Sequence, residues 1–116
     1  MKHWNNVTTF LFSALLLPLA ALPTALLAKG DPAAGQSKAQ VCQACHGLDG
    51  KSIAPIYPNL AGQHEDYLVK ALADYRAGRR TNAIMAPMAV NLSNQDIEDL
   101  AAWFASQEGL KDLSIK

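Results

Sequence analysis

The sequence predicts an all-α domain that closes around something other than its own side chains, and three observations predict it. Apolar residues recur at helical spacing in separate stretches, each opened by a residue able to cap a helix. No run shows the alternation and β-branched enrichment of a strand. Two long aperiodic segments, 47–63 and 78–91, separate the helical stretches and leave little regular apolar surface for a core.

The length of 116 residues allows one domain. Lys2 precedes an uncharged stretch from Trp4 to Ala28, whose apolar centre, Phe10 to Leu22, has the length of a signal-peptide h-region. Residues 1–28 are therefore expected to be a signal peptide, cleaved after Ala28 beyond the helix-ending Pro23, with the domain at 29–116. Leu26 stands where a small residue is preferred before the cleavage point, and the stretch is long enough that an uncleaved N-terminal membrane anchor is the alternative. Either way the domain is exported, and a periplasmic location is expected. From Lys29 onward nine Lys/Arg face ten Asp/Glu, a net charge of −1. There is no basic stripe for nucleic acid.

The first helix opens with Asp31 as N-cap and Pro32 at the first helical position, and runs to Cys45 with only Gly35 as a breaker. Glycine inside a helix costs about 1 kcal/mol relative to alanine, so Gly35 points to a close approach by another helix. This helix delivers Cys42-Gln43-Ala44-Cys45-His46, the Cys-x-x-Cys-His pattern of c-type haem attachment. Each thiol can add across one vinyl group of a haem, and the imidazole that follows can bind the iron through a neutral nitrogen. A thioredoxin-like redox pair would need a strand before the motif, which is missing. A zinc site could count Cys42, Cys45, His46 and His64, but their spacing matches neither finger nor ribbon. A disulfide across two residues would be tight and strained.

From Gly47 to Gln63 the chain is aperiodic and holds Pro55 and Pro58, either of which can fix a backbone carbonyl on the free nitrogen of His46. A second helix follows over Glu65 to Ala77, with Leu68, Ala71, Leu72 and Tyr75 on one face and Gly78 as its stop; it is expected only to pack. His64 before it is expected to face solvent. The segment 78–91 carries Met85 and Met88, and a thioether in such a loop is the expected second iron ligand because soft sulfur favours ferrous iron. Met85 precedes Pro87, which biases Ala86 to an extended conformation and holds the segment open, so Met85 is preferred as ligand and Met88 as packing between the last helix and the ring. Arg79 and Arg80 can neutralise haem propionates or form a solvated turn. The last helix begins at Ser93 with Asp96 completing a near capping box, presents Ile97, Leu100, Ala101 and Phe104, and is expected to end at Gly109. Its aromatic residues need a partner, and the small residues Gly35 and Ala39 offer one, so the terminal helices should cross.

Four blocks in this order resemble a class I cytochrome c of the short bacterial kind, whose relatives occur as one-haem proteins and as fused two-haem chains: Cys42 to Gly50, Pro58 to Gln63, Met85 to Met88, and Leu92-Ser93 leading into the last helix. The resemblance implies an all-α class I cytochrome c fold around one covalent haem c, with His46 and a methionine, the first of its block, as axial ligands. It also implies an electron carrier whose haem iron cycles between Fe(III) and Fe(II) for respiratory or other redox partners. This chain has one attachment motif and no internal repeat, so one haem is expected. With both axial positions taken, the chain is expected not to be an enzyme, to act as a monomer, and to meet its redox partners transiently. A membrane-bound oxidase or dehydrogenase is one such partner, and the alternative is a fixed cytochrome subunit of such a complex. Ile53, Ile56, Ile84 and Ala86 are expected around the exposed haem edge.

Overall fold

A computed structural model describes Met1 and residues 29–109; the signal peptide or anchor expected before Lys29 lies, Met1 apart, outside the described residues, as does the tail after Gly109. Among the described residues every regular element is a helix: α1 (Pro32–Lys38), α2 (Gln40–His46), α3 (Glu65–Arg76), α4 (Met85–Ala89) and α5 (Asn94–Ala105). None of these is long and apolar enough to cross a membrane.

The helix expected without interruption from Pro32 to Cys45 is two helices with a joint at Ala39. There ψ is −7°, well short of the roughly −42° of a continuing α-helix, and the Ala39 amide is shared between the carbonyls of Gly35 (2.9 Å) and Gln36 (3.3 Å). Ala39 is fully buried, so the bend sits where the chain meets the core. The start of α1 follows expectation: Pro32 occupies its first turn and the Asp31 carboxylate accepts from the Ala33 amide at 2.9 Å.

Helix α1 packs on α5 backbone to backbone. A Cβ on Gly35 would stand 2.0 Å from the Asp99 carbonyl oxygen, and one on Gly30 would stand 2.1 Å from that of Glu98. Glycine is thus required by the crossing. Gly35→Ala, which would stabilise a free helix, is expected here to cost about 1–3 kcal/mol as the helices are forced apart. The check is the thermal midpoint; a rise would mean that the two helices separate freely.

A polar clip fixes the same crossing. The buried Asp99 carboxylate accepts from the Asp31 amide (2.9 Å), from Lys38 Nζ (2.6 Å) and from Gln95 Nε2 (2.8 Å), while Lys38 also reaches Asp96 Oδ1 at 2.7 Å. Burial works to raise the Asp99 carboxyl, yet these donors hold it below its ordinary value. Asp96 is lowered to about 2, chiefly by Lys38 and then by Ser93. Both folded-state values lie below the unfolded one, so the stabilisation is complete above the ordinary carboxylate pKa of about 4 and is lost as pH falls towards about 2. The urea midpoint should be level at neutral pH and drop below about pH 4; a midpoint unchanged down to pH 2 would remove the clip from the stability account.

Helix α3 spans the expected stretch, following an exposed His64 and stopping before Gly78, whose φ of +71° turns the chain. Arg76 at its end donates to the Leu92 carbonyl (2.8 Å) and to Asn94 Oδ1 (2.7 Å), tying α3 to the start of α5. The segment 78–91, expected to be aperiodic, contains α4. Asn82 starts it, its Oδ1 accepting from the Ile84 (2.9 Å) and Met85 (3.0 Å) amides, and Pro87 falls in the first turn, where its missing N–H costs no bond. Helix α5 has the full capping box: the Ser93 hydroxyl accepts from the Asp96 amide (3.0 Å) and Asp96 Oδ2 from the Ser93 amide (2.9 Å). It stops at Ala105 and not at Gly109, which instead lies against Ala61, where a Cβ would come 2.1 Å from the carbonyl oxygen. Leu68, Leu100, Ala101, Phe104 and Ala39 form the core cluster, and among the described residues the largest fully buried side chains are only Ile97 and Leu100.

Candidate functional site

Helices α2, α3, α4 and α5 and the loop 47–63 surround one cavity of about 810 Å³, its open mouth included. Sites that take small molecules and cofactors are mainly apolar, with a few placed polar groups. Here Leu68, Leu72, Leu100 and Phe104 supply the apolar wall, and Cys42, His46 and Met85 bring sulfur and nitrogen to it.

His46 ends α2 and is only 5% exposed. Gly47 then turns the chain at φ +83°, in a corner so close that a Cβ would stand 1.9 Å from the Lys51 carbonyl oxygen. His46 Nδ1 lies 2.8 Å from the Pro58 carbonyl oxygen. A carbonyl can only accept, so Nδ1 carries the proton and Nε2 keeps a bare lone pair suited to a metal. Pro58, not Pro55, thus supplies the carbonyl that sequence left open between them. The loop sets its place by closing on itself: the Gly50 carbonyl accepts from the Leu60 and Ala61 amides (2.7 and 3.1 Å), and Asn59 Oδ1 accepts from the Ser52 amide (2.7 Å). The Gly62 amide then donates to the Phe104 carbonyl at 2.9 Å, anchoring the loop to α5.

Cys42 and Cys45 lie one turn apart on α2, both half-buried and both free thiols. Cys42 lines the cavity, and burial pushes its thiol up from the ordinary range. Cys45 stands beside Tyr57, whose phenol it pushes up, and the Tyr57 ring meets His46 edge-on with centroids 6.3 Å apart. The described residues hold no cluster of three or more His, Cys, Asp or Glu side chains able to bind a metal ion in the way the zinc alternative required.

The two methionines part company. Met85, half-buried at the start of α4, lines the cavity; Met88 does not and is 46% exposed, so it does not fill the gap beside α5 expected of it from sequence. Helix α3 also does more than pack, because its Tyr67 and Tyr75 line the cavity together with Arg80. Two tyrosines eight positions apart share a helical face, which is the signal the sequence offers. Arg79 points elsewhere, its Nε 2.8 Å from Asp74 Oδ1. Of the residues expected around the rim, Ile53, Ile56 and Ile84 are exposed and Ala86 is half-buried. Thiols on one helical turn, an imidazole with a free Nε2, a thioether and an apolar enclosure together suit a haem.

The cytochrome c family model matches residues 32–108. Cytochrome c4 of Pseudomonas aeruginosa is 53% identical over 98 residues, which cover 84% of this chain and 48% of that protein. Cytochrome c-554(548) of Halomonas halodenitrificans is 52% identical over 82 residues, 68% of this chain and 99% of that one. The crystal structure of reduced recombinant cytochrome c4 from Pseudomonas stutzeri superposes with a TM-score of 0.66 at 50% identity, covering 70% of this chain and 47% of the other. The chain therefore spans about half the length of the cytochrome c4 relatives it matches and nearly all of cytochrome c-554(548). Its helices have the class I cytochrome c fold, and the chain belongs to the cytochrome c family, whose haem is covalently held.

Proposed function

We propose that this chain is a periplasmic electron carrier with one haem c, joined through Cys42 and Cys45 and ligated by His46 and Met85. The observation that carries this reading is the cavity shared by Cys42, His46 and Met85, with Pro58 holding His46 in the tautomer that frees Nε2. When bound, the haem supplies a one-electron couple. The chain's own residues do the rest. Pro58 fixes the imidazole plane and raises its basicity, the Met85 thioether favours the reduced metal, and Leu68, Leu72, Leu100 and Phe104 exclude water from the ring. With His46 and Met85 both given to the iron, no open position would remain for a substrate, which supports a carrier and not an enzyme.

Protein made in an exporting, haem-maturing host tests this. Acid-acetone extraction should leave the pigment on the chain, and the intact mass should correspond to one haem on a polypeptide starting at Lys29. A colourless chain overturns the assignment, and a membrane-bound chain retaining Met1 would favour the anchor. The exposed Ile53, Ile56 and Ile84 suit a small transient contact with a redox protein, so the purified protein should be a monomer with negligible peroxidase turnover. Stable co-purification with a dehydrogenase or oxidase subunit would make it a fixed subunit instead.

A further inference from the structure

We propose that the mouth of the cavity is a docking face for a redox protein whose own electron-transfer face is uncharged and apolar, so that the two meet without electrostatic steering. The proposal rests on the cavity being the haem site. Three stretches of the chain, 39–48, 52–63 and 81–95, contain no Asp, Glu, Lys or Arg. Each sends residues to the cavity wall: Cys42 and His46 from the first, Pro58, Asn59 and Gln63 from the second, and Met85 from the third. Among the described residues every exposed large apolar side chain, Met1 and Tyr67 apart, falls within these same stretches.

Local structure turns those side chains outward. A shallow depression lined by Ser52, Ile53 and Tyr57 adjoins the cavity through Pro58 and Asn59, which border both, and the Ile53 amide is tied to the Cys45 carbonyl at 3.5 Å. On α4, Met85 lines the cavity and Ala89, four residues on, is fully buried, whereas Ile84 and Met88, also four apart, share the outer face at 51% and 46% exposure. The charges flanking these stretches are matched among themselves. Lys51 pairs with Asp49 at 3.2 Å, and Lys70 and Arg79 share Asp74. Arg80, the one charged arginine, lysine or carboxylate residue on the cavity wall among the described residues, lies over the Tyr75 ring, its guanidinium carbon 4.9 Å from the centroid. The exposed Asp66 falls on the side of α3 opposite the lining residues Leu68, Ala71 and Tyr75.

The centre of a protein interface is marked by loss of charged residues more than by overall apolarity, and this mouth has that mark. A partner's charge pressed against it would lose its water without gaining a counter-ion, whereas an uncharged apolar face loses nothing comparable. A second copy of the holoprotein is a probe with the required chemistry, since two copies present the same face to each other. In self-exchange one copy's Fe(II) passes an electron to the other's Fe(III), and NMR line broadening in mixtures of the two redox forms gives the rate. Between about 10 mM and about 1 M salt the Debye length falls from about 30 to about 3 Å, yet the wild-type rate should change by less than about twofold. Ile84→Lys and Ile53→Lys each set like charges against one another and should slow exchange at least about fivefold at low salt, with recovery at high salt. Asp66→Lys, which changes the charge more but on the far side of α3, should stay within about twofold of wild type. Covalent haem is verified by intact mass in every variant. A larger salt effect on wild type, a smaller loss in both lysine variants, or a stable dimer by light scattering overturns the docking face and leaves the haem assignment intact. A wild-type chain without covalent haem overturns both.

Discussion

Replacing Cys42 and Cys45 together by serine is expected to abolish covalent haem attachment and to leave a chain that loses its helical structure once the pigment is extracted. The first half follows from chemistry, since a serine hydroxyl does not form the thioether. The second follows from packing. The core cluster holds only three large side chains, Leu68, Leu100 and Phe104, beside the small Ala39 and Ala101, and all three large ones form the wall of the cavity. At about 24 cal/mol per Å³, even 200 Å³ of unfilled apolar space costs about 5 kcal/mol, comparable to the whole stability of a small domain. Either single substitution should keep one thioether and much of the fold. Circular dichroism of the extracted double variant decides it: a helical signal and melting curve equal to those of the holoprotein would show that the side chains form a sufficient core alone.

Local chemistry is what the sequence makes legible. Asp31 with Pro32, and Ser93 with Asp96, cap their helices as expected because a cap depends on residues within one turn. The crossing of α1 and α5 is legible too, since a glycine inside a helix costs stability that a close backbone contact with an aromatic-rich helix can offset. Features set by distant parts of the chain are not. The joint at Ala39 depends on where the core presses, and the five residues of α4 are too few for a period, their start being set by the Asn82 side chain. Lys38 and Asp99 are 61 positions apart, and nothing near either announces the other. The choice of Pro58 over Pro55 needs the closure of the loop on the Gly50 carbonyl, a tertiary fact. Tyr67 and Tyr75 are legible only as a helix face; what that face looks onto is decided by the fold.

Met85→Ala is expected to remove the sulfur-to-iron absorption band of the oxidised protein and to lower its potential by a substantial part of the roughly 0.8 V that axial ligands span, whereas Met88→Ala should do neither. Sequence favours Met85 through Pro87, on the ground that an extended segment would hold Met85 open along the haem face. The fold removes that ground, because Pro87 lies inside α4. A different one replaces it. Helix α4 starts at Met85, its amide bonded by Asn82, so the methionine side chain leaves from the first turn and reaches the cavity that His46 also lines. Met88, three residues on, is 46% exposed and has no place on that wall. Its truncation therefore opens no buried cavity, and the cost of about 2–5 kcal/mol expected for a buried methionine falls to about 0.5 kcal/mol or less, the usual range for a surface position. The two variants should separate cleanly: Met85→Ala changes the spectrum and potential, and Met88→Ala retains the wild-type band, potential and melting temperature. If the band is lost from Met88→Ala and kept in Met85→Ala, α4 must rotate or unwind when the haem is bound, and the ligand is Met88.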